Sequence, residues 1–137
     1  MEPVTILKGH TDRVNAITFH PFFLKDIPEM GPNIATCSND FNIKLWSFSK
    51  ELKSQKCATF KGHEDKVNSV EFHPMGKLLS SGSSDKTIRL WDIETKEELL
   101  IQEGHAGNIT GLSFQNDGAL MVRIIYFFYL KKILGIF

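Results

Sequence analysis

A chain of 137 residues has room for one domain, and its 42% hydrophobic and 23% charged residues are ordinary for a globular protein. Sixteen Lys and Arg balance 16 Asp and Glu, which argues against a dedicated nucleic-acid or membrane-surface binder, because such proteins carry a basic excess. The balance is uneven: Met1–Val122 holds all the acids with 13 of the bases, a net −3, and Arg123, Lys131 and Lys132 supply the remaining +3.

Met1–His10 lacks the long apolar core of a secretory signal. Val4–Leu7 is expected to be the outer strand of a missing preceding unit. Gly9-His10 then opens a unit whose alternation predicts strands over Val14–Phe19, Ile34–Ser38, Ile43–Phe48 and Ala58–Lys61. Gly62-His63 opens a second unit. There Val67, Ser69 and Glu71 face opposite to Asn68, Val70 and Phe72, and Leu78–Ser83 follows as a strand. Ser84-Asp85-Lys86 makes a tight turn, Ile88, Leu90 and Trp91 a third strand, and Leu99–Gln102 a fourth. Gly104-His105 begins a third unit with Ile109, Leu112 and Phe114. After Val122 the pattern gives way to RIIYFFYLKKILGIF.

The register of the repeat is tight. Ten residues after each Gly of Gly-His stands a Phe (Phe19, Phe72, Phe114), twice within Phe-His-Pro. An Asp precedes a Trp by six residues at Asp40/Trp46 and again at Asp85/Trp91. The Gly-His intervals are 53 and 42 residues; eight of the 11 extra residues sit in a loop within Phe22–Pro32 and three between Trp46 and Gly62. Insertions placed in loops leave the repeating unit intact. All five histidines lie in Gly-His or Phe-His-Pro, so none is left over for an isolated site. His20 and His73 are expected to close the loop after the first strand of their unit. Cys37 reads as small core filler and Cys57 as part of the link between units. With no CxxC, the two cysteines suit a reducing compartment.

The segments LKGHTDRVNAITFHP…IATCSNDFNIKLWS and FKGHEDKVNSVEFHPMGKLLSSGSSDKTIRLWDIE resemble WD40 repeats, with their Gly-His…Trp-Asp signature and a period of about 40–45 residues. The resemblance implies an all-β partial WD40 propeller of four-stranded antiparallel blades. Two are full (about 8–60 and 61–103), and a third (104–122) is truncated. The partial propeller then covers 1–122, and the apolar tail 123–137 stands outside the repeat pattern. Two and a half blades fall short of a ring, so marginal stability or association is expected.

The same resemblance implies a buried hydrogen-bonded chain in each blade: His10, Thr36, Asp40 and Trp46 in the first, His63, Ser81, Asp85 and Trp91 in the second. The residue types suit it, since the indole donates, the hydroxyl and neutral imidazole do both, and the carboxylate accepts. A Ser-His-Asp triad at His63, Ser81 and Asp85 is the catalytic alternative. It is set aside because the set recurs with a Trp in two blades and no Gly-x-Ser-x-Gly elbow is present. No motif suggests a cofactor or metal.

Within the superfamily, further residues are similar to the WD-repeat subunit of the U4/U6 small nuclear ribonucleoprotein. They are Arg13-Val14 leading to Ala16–Pro21, Ile34–Cys37, Lys44–Ser47, Arg89–Asp92 and Glu98–Leu100 leading to Gln102-Glu103-Gly104-His105. That resemblance implies a non-catalytic scaffold of the U4/U6 and U4/U6.U5 particle, located in the nucleus. Its partners would be other snRNP proteins, its contact with U4/U6 snRNA indirect, and it would have neither membrane nor small-molecule substrate. Arg13, Lys66 and Asn108, just before each inner strand, are the candidate partner contacts. The alternative is a WD40 adaptor elsewhere, such as a ubiquitin-ligase substrate receptor or a cytoskeletal scaffold. For the tail, a blade pattern broken off by truncation or misreading is favoured over an amphipathic helix or a replacement strand. Lys131-Lys132 interrupts its apolar run and disfavours a transmembrane anchor.

Overall fold

Period-two alternation, β-branched residues and Gly- or Asp-containing turns become strands throughout. The computed structural model describes residues 5–22, 31–49, 55–116, 120–125 and 133–136. Among these the secondary structure is all strand: β1 (Val14–Phe19), β2 (Pro32–Ser38), β3 (Ile43–Phe48), β4 (Gln55–Phe60), β5 (Val67–Phe72), β6 (Leu78–Ser83), β7 (Ile88–Asp92), β8 (Glu98–Gln102), β9 (Ile109–Phe114), β10 (Leu120–Ile125) and β11 (Ile133–Ile136). They form two four-stranded antiparallel sheets, β1-β2-β3-β4 and β5-β6-β7-β8, and a three-stranded sheet in the order β11-β10-β9. No helix among the described residues is long and apolar enough to cross a membrane.

The expected strands are found with shifted bounds: β2 begins at Pro32 rather than Ile34 and β8 at Glu98 rather than Leu99. β4 runs Gln55–Phe60 rather than Ala58–Lys61, because its pairing with β3 extends from Ile43↔Phe60 to Phe48↔Gln55. Cys57 therefore lies on an outer strand, exposed, and not in the link. Thr5–Leu7 pairs in no strand, although Leu7 packs against Ile34, Trp46 and Phe48; Val4 lies outside the described residues. Most of the long loop, 23–30, also lies outside them. At the C-terminal end, the backbone of 123–125 continues β10 and that of 133–136 pairs with it in register from Leu120↔Ile136 to Arg123↔Ile133. The described part of the tail thus takes strand form.

The main core lies between the first two sheets. Ala35, Cys37, Ile43 and Leu45 of the first sheet meet Val67, Val70, Phe72 and Leu79 of the second. A smaller cluster, Ile88 with Ile109, Leu112 and Phe114, joins the second sheet to the third. One stripe of the inner strand is therefore covered each time by the sheet before it. Val67, Val70 and Phe72 are 0%, 3% and 4% exposed, whereas their counterparts in the first sheet, Val14, Ile17 and Phe19, are 48%, 56% and 56% exposed.

The two cysteines separate cleanly in this packing. Burial pushes the Cys37 thiol up to about 12, and its sulfur is inaccessible. A thiol-reactive dye added to native protein is expected to label Cys57 promptly and Cys37 only on unfolding. Prompt labelling of both thiols would contradict the placement of β2.

Candidate functional site

In the second sheet the Gly-His turn lays His63 over the middle of the sheet, where β6 and β7 present Ser81 and Trp91. Trp91 Nε1 donates to Ser81 Oγ (2.9 Å), Ser81 Oγ lies 2.7 Å from His63 Nε2, and His63 Nδ1 lies 2.7 Å from Asp85 Oδ2. A carboxylate only accepts, so Nδ1 carries the hydrogen and Nε2 accepts from the serine hydroxyl. The chain runs in one direction, from indole to carboxylate. The first sheet repeats it: Trp46 Nε1 to Thr36 Oγ1 at 2.9 Å, Thr36 to His10 Nε2 at 2.8 Å, and His10 Nδ1 to Asp40 Oδ2 at 2.8 Å. All eight residues expected in these chains are brought together.

Electrostatics follow from burial and bonding. Burial alone would raise the Asp85 carboxyl. The Thr87 hydroxyl, His63 Nδ1–H and Thr87 N–H outweigh it and bring the pKa down to about 2. Asp40 is likewise held below the ordinary carboxylate range: burial opposes, but the Asn42 amide, His10 and the Thr11 amide prevail. Burial lowers His63, with Asp85 acting in the other direction.

The geometry of Ser81, His63 and Asp85 has the distances of a catalytic triad but not the access. Ser81 is fully buried and its oxygen already accepts the indole hydrogen. A nucleophile has to reach a substrate carbon, and this hydroxyl faces the interior.

Two of the three Gly in Gly-His have a steric cause, and the third, Gly104, a conformational one, with open space around it and a φ of 88° that L side chains rarely adopt. A Cβ at Gly62 would lie 2.6 Å from Arg89 Nη1 and 3.2 Å from the Trp91 ring; at Gly9 it would lie 3.0 Å from the Trp46 ring. Arg89 cannot swing aside at no cost, since its Nη1 donates to Glu98 Oε2 at 2.8 Å.

Three repeated features escaped the sequence reading. Ser38 and Ser83, two positions before each Asp, are fully buried. Each hydroxyl accepts from the Asp amide (3.1 Å) and donates to a backbone carbonyl of the loop before the inner strand. Asn15 and Asn68 sit at β-bulges, where the registers of β1 and β5 skip one residue. A bulge re-aims its side chain. Each amide donates once to its own sheet's turn, to Asn39 Oδ1 (2.8 Å) or Ser84 Oγ (2.9 Å). It donates again to the next sheet's backbone, to Val67 O (2.8 Å) or Ile109 O (2.9 Å). Their signal was the Val-Asn recurring in both units. His20 does close its loop, accepting from Phe22 N, but its Nε2 also donates to Gly76 O of the second sheet at 3.0 Å. His73 accepts from Met75 N in the same way and stands edge-on to Phe114 of the third sheet.

Asn68→Ala removes two such bonds and is expected to cost about 2 kcal/mol, read as a shift of the urea midpoint. No shift would show that the link between the second and third sheets carries no stability.

Arg13, Lys66 and Asn108 are exposed and each immediately precedes an inner strand. The first two share a rim with the Asp turns, for Asn39 N donates to Arg13 O and Ser84 N to Lys66 O, each at 2.9 Å.

Comparison with known proteins agrees with this architecture. The family model for the WD domain, G-beta repeat, matches residues 1–47 and 54–92. The chain is 37% identical over 106 residues to the U4/U6 small nuclear ribonucleoprotein PRP4 of Saccharomyces cerevisiae, covering 76% of the chain and 21% of that protein. It is 34% identical over 114 residues to the nuclear distribution protein nudF 1 of Talaromyces marneffei (83% and 23%). It is 30% identical over 115 residues to the pre-mRNA-processing factor 19 of Oryza sativa subsp. japonica (82% and 20%). The chain spans about a fifth to a quarter of the length of these relatives. Two four-stranded sheets, each with its indole-to-carboxylate chain in the Gly-His…Trp register, together with the family match, place this chain in the WD40 repeat family.

Proposed function

We propose that the chain is part of a non-catalytic protein-interaction scaffold of the U4/U6 and U4/U6.U5 small nuclear ribonucleoprotein, supporting spliceosome assembly and pre-mRNA splicing in the nucleus. The observation that carries this reading is the 37% identity over 106 residues to the U4/U6 small nuclear ribonucleoprotein PRP4. The blades hold their reactive groups inward, which leaves the rim for recognition. Arg13, Lys66 and Asn108 are the contacts offered there, and other snRNP proteins are the partners. The net −3 of Met1–Val122 suits protein contacts and an indirect link to U4/U6 snRNA better than a direct grip on RNA phosphates. Neither a membrane nor a small-molecule substrate enters the reading.

A second reading, an adaptor in another complex, has its own support. Similarity to the nuclear distribution protein nudF 1 extends over more of the chain, 83% against 76%. Affinity purification of the tagged protein from nuclear extract separates the two. Recovery of U4/U6 proteins with U4 and U6 snRNA, reduced when Arg13 and Lys66 are both changed to Glu, is the expected result. Their absence, with a different protein set recovered, overturns the splicing assignment in favour of the adaptor.

A further inference from the structure

A bulky side chain in the left-handed backbone region carries a strain that glycine or asparagine there avoids. Phe41 takes that conformation, with φ 71°, in the turn between β2 and β3. The turn imposes it. Phe41 N donates to Ser38 O at 3.3 Å and Lys86 N to Ser83 O at 3.2 Å, so Lys86, with φ 69°, holds the same position in the second sheet. A lysine there keeps its charged end in water. Phe41 instead holds out an aromatic ring, 42% exposed and outside the hydrophobic clusters of the described residues. Backbone strain that no core packing offsets collects at sites that meet a ligand or partner.

The openness of this position does not depend on what adjoins the first sheet. Lys86 lies in a sheet packed on both sides, against the first sheet and the third, and is still exposed.

Two exposed cations stand on the same rim. Asn39 N, two residues before Phe41, donates to Arg13 O. The Asn15 amide, bonded to Asn39 Oδ1 and to Val67 O, draws the residue after Lys66 to the same turn. Asp12 and Asp65 turn back on the chain, each accepting from the backbone amide of the residue that follows. The Arg13 and Lys66 side chains make no ion pair among the described residues.

We propose that Phe41 is the anchor by which the chain holds its partner, a protein presenting an apolar pocket edged by carboxylates. The ring fills the pocket, and Arg13 and Lys66 meet the acids. Binding energy concentrates in such an arrangement, an aromatic group buried at the centre with polar groups around it. The proposal rests on the splicing reading for the identity of that partner, a U4/U6 protein.

Affinity purification of the tagged full chain from nuclear extract, with and without RNase, tests this when thermal denaturation is run alongside. Phe41→Asn, which suits the left-handed backbone, is expected to lower recovery of U4/U6 proteins about tenfold or more. Its melting temperature is expected not to fall. Phe41→Tyr keeps the ring and is expected to recover them as the unsubstituted protein does. Undiminished recovery by Phe41→Asn overturns the anchor and leaves the splicing reading standing. So does a loss seen only with the snRNA intact, which would make the ring a platform for a stacked base. A lower melting temperature for Phe41→Asn makes the ring a packing residue and also overturns the anchor. Should the unsubstituted protein recover a different set, identified by mass spectrometry, the splicing reading fails. The anchor then falls too if Phe41→Asn recovers that set undiminished, and stands if Phe41→Asn loses it and Phe41→Tyr keeps it. Recovery of no protein overturns both.

Discussion

Asp85→Ala is expected to lower the stability of the chain by about 3 kcal/mol, or on the order of 10 °C in melting temperature. The carboxylate accepts four hydrogen bonds: from His63 Nδ1 and Glu64 N at Oδ2, and from Thr87 N and Thr87 Oγ1 at Oδ1. One oxygen thus ties the tight turn and the other orients the imidazole. Removing both strands four donors, and leaving buried donors unsatisfied costs more than the mean value of the bonds. Thermal denaturation checks it. An unchanged melting temperature would mean that the polar chain does not hold the blade.

The same carboxylate sets the acid limb of stability. Its folded pKa, about 2, lies below the ordinary 3.8. The group therefore stabilises the fold above pH 3.8, by about 2 kcal/mol, and loses that contribution as pH falls towards 2. His63, also lowered, acts in the same sense from higher pH. Below 6.5 the unfolded chain takes up its proton before the folded one does, so stability declines with acidification there too. Asp85→Asn cannot titrate at this position. Its deficit relative to the unsubstituted protein is expected to shrink by about 1 kcal/mol between pH 5 and pH 3. A constant deficit would remove Asp85 from the acid limb.

Phe72→Ala and Phe19→Ala should differ by several kcal/mol although they occupy the same repeat position. Phe72 is buried between the first two sheets, where truncation leaves a cavity and costs about 3–5 kcal/mol. Phe19 is on the open face, and its truncation is expected to cost under about 1 kcal/mol in dilute, monomeric protein. Denaturant titration of both variants measures the difference. Equal costs would contradict the stacking order of the sheets.

Those two residues also mark what the sequence could and could not disclose. Spacing put both Phe residues at one position of one strand, and composition put the Trp, His, Asp and hydroxyl of each chain in register. Such features repeat as residue types, so a single sequence displays them. What separates Phe19 from Phe72 is the neighbour, which no residue type encodes. Asn15 and Asn68 were visible as a recurring Val-Asn, yet their targets are backbone carbonyls 52 and 41 residues away, and a carbonyl leaves no trace in sequence. β4 begins three residues before Ala58, the start that the side-chain pattern predicts, because Gln55 and Lys56 are polar and only backbone pairing makes them strand. Over 120–136 the apolar run lacks alternation and turn residues other than Gly135. The β10–β11 pairing was therefore only one of several readings open to it.

Hydrogen exchange on the dilute chain tests the stack of blades most directly. The second sheet is covered on both faces, so amides of β6 and β7 should exchange slowest and close to the global unfolding free energy. Those of β1 and of the exposed β8 should exchange earlier. Exchange in β6 and β7 as fast as in β8 would contradict the architecture.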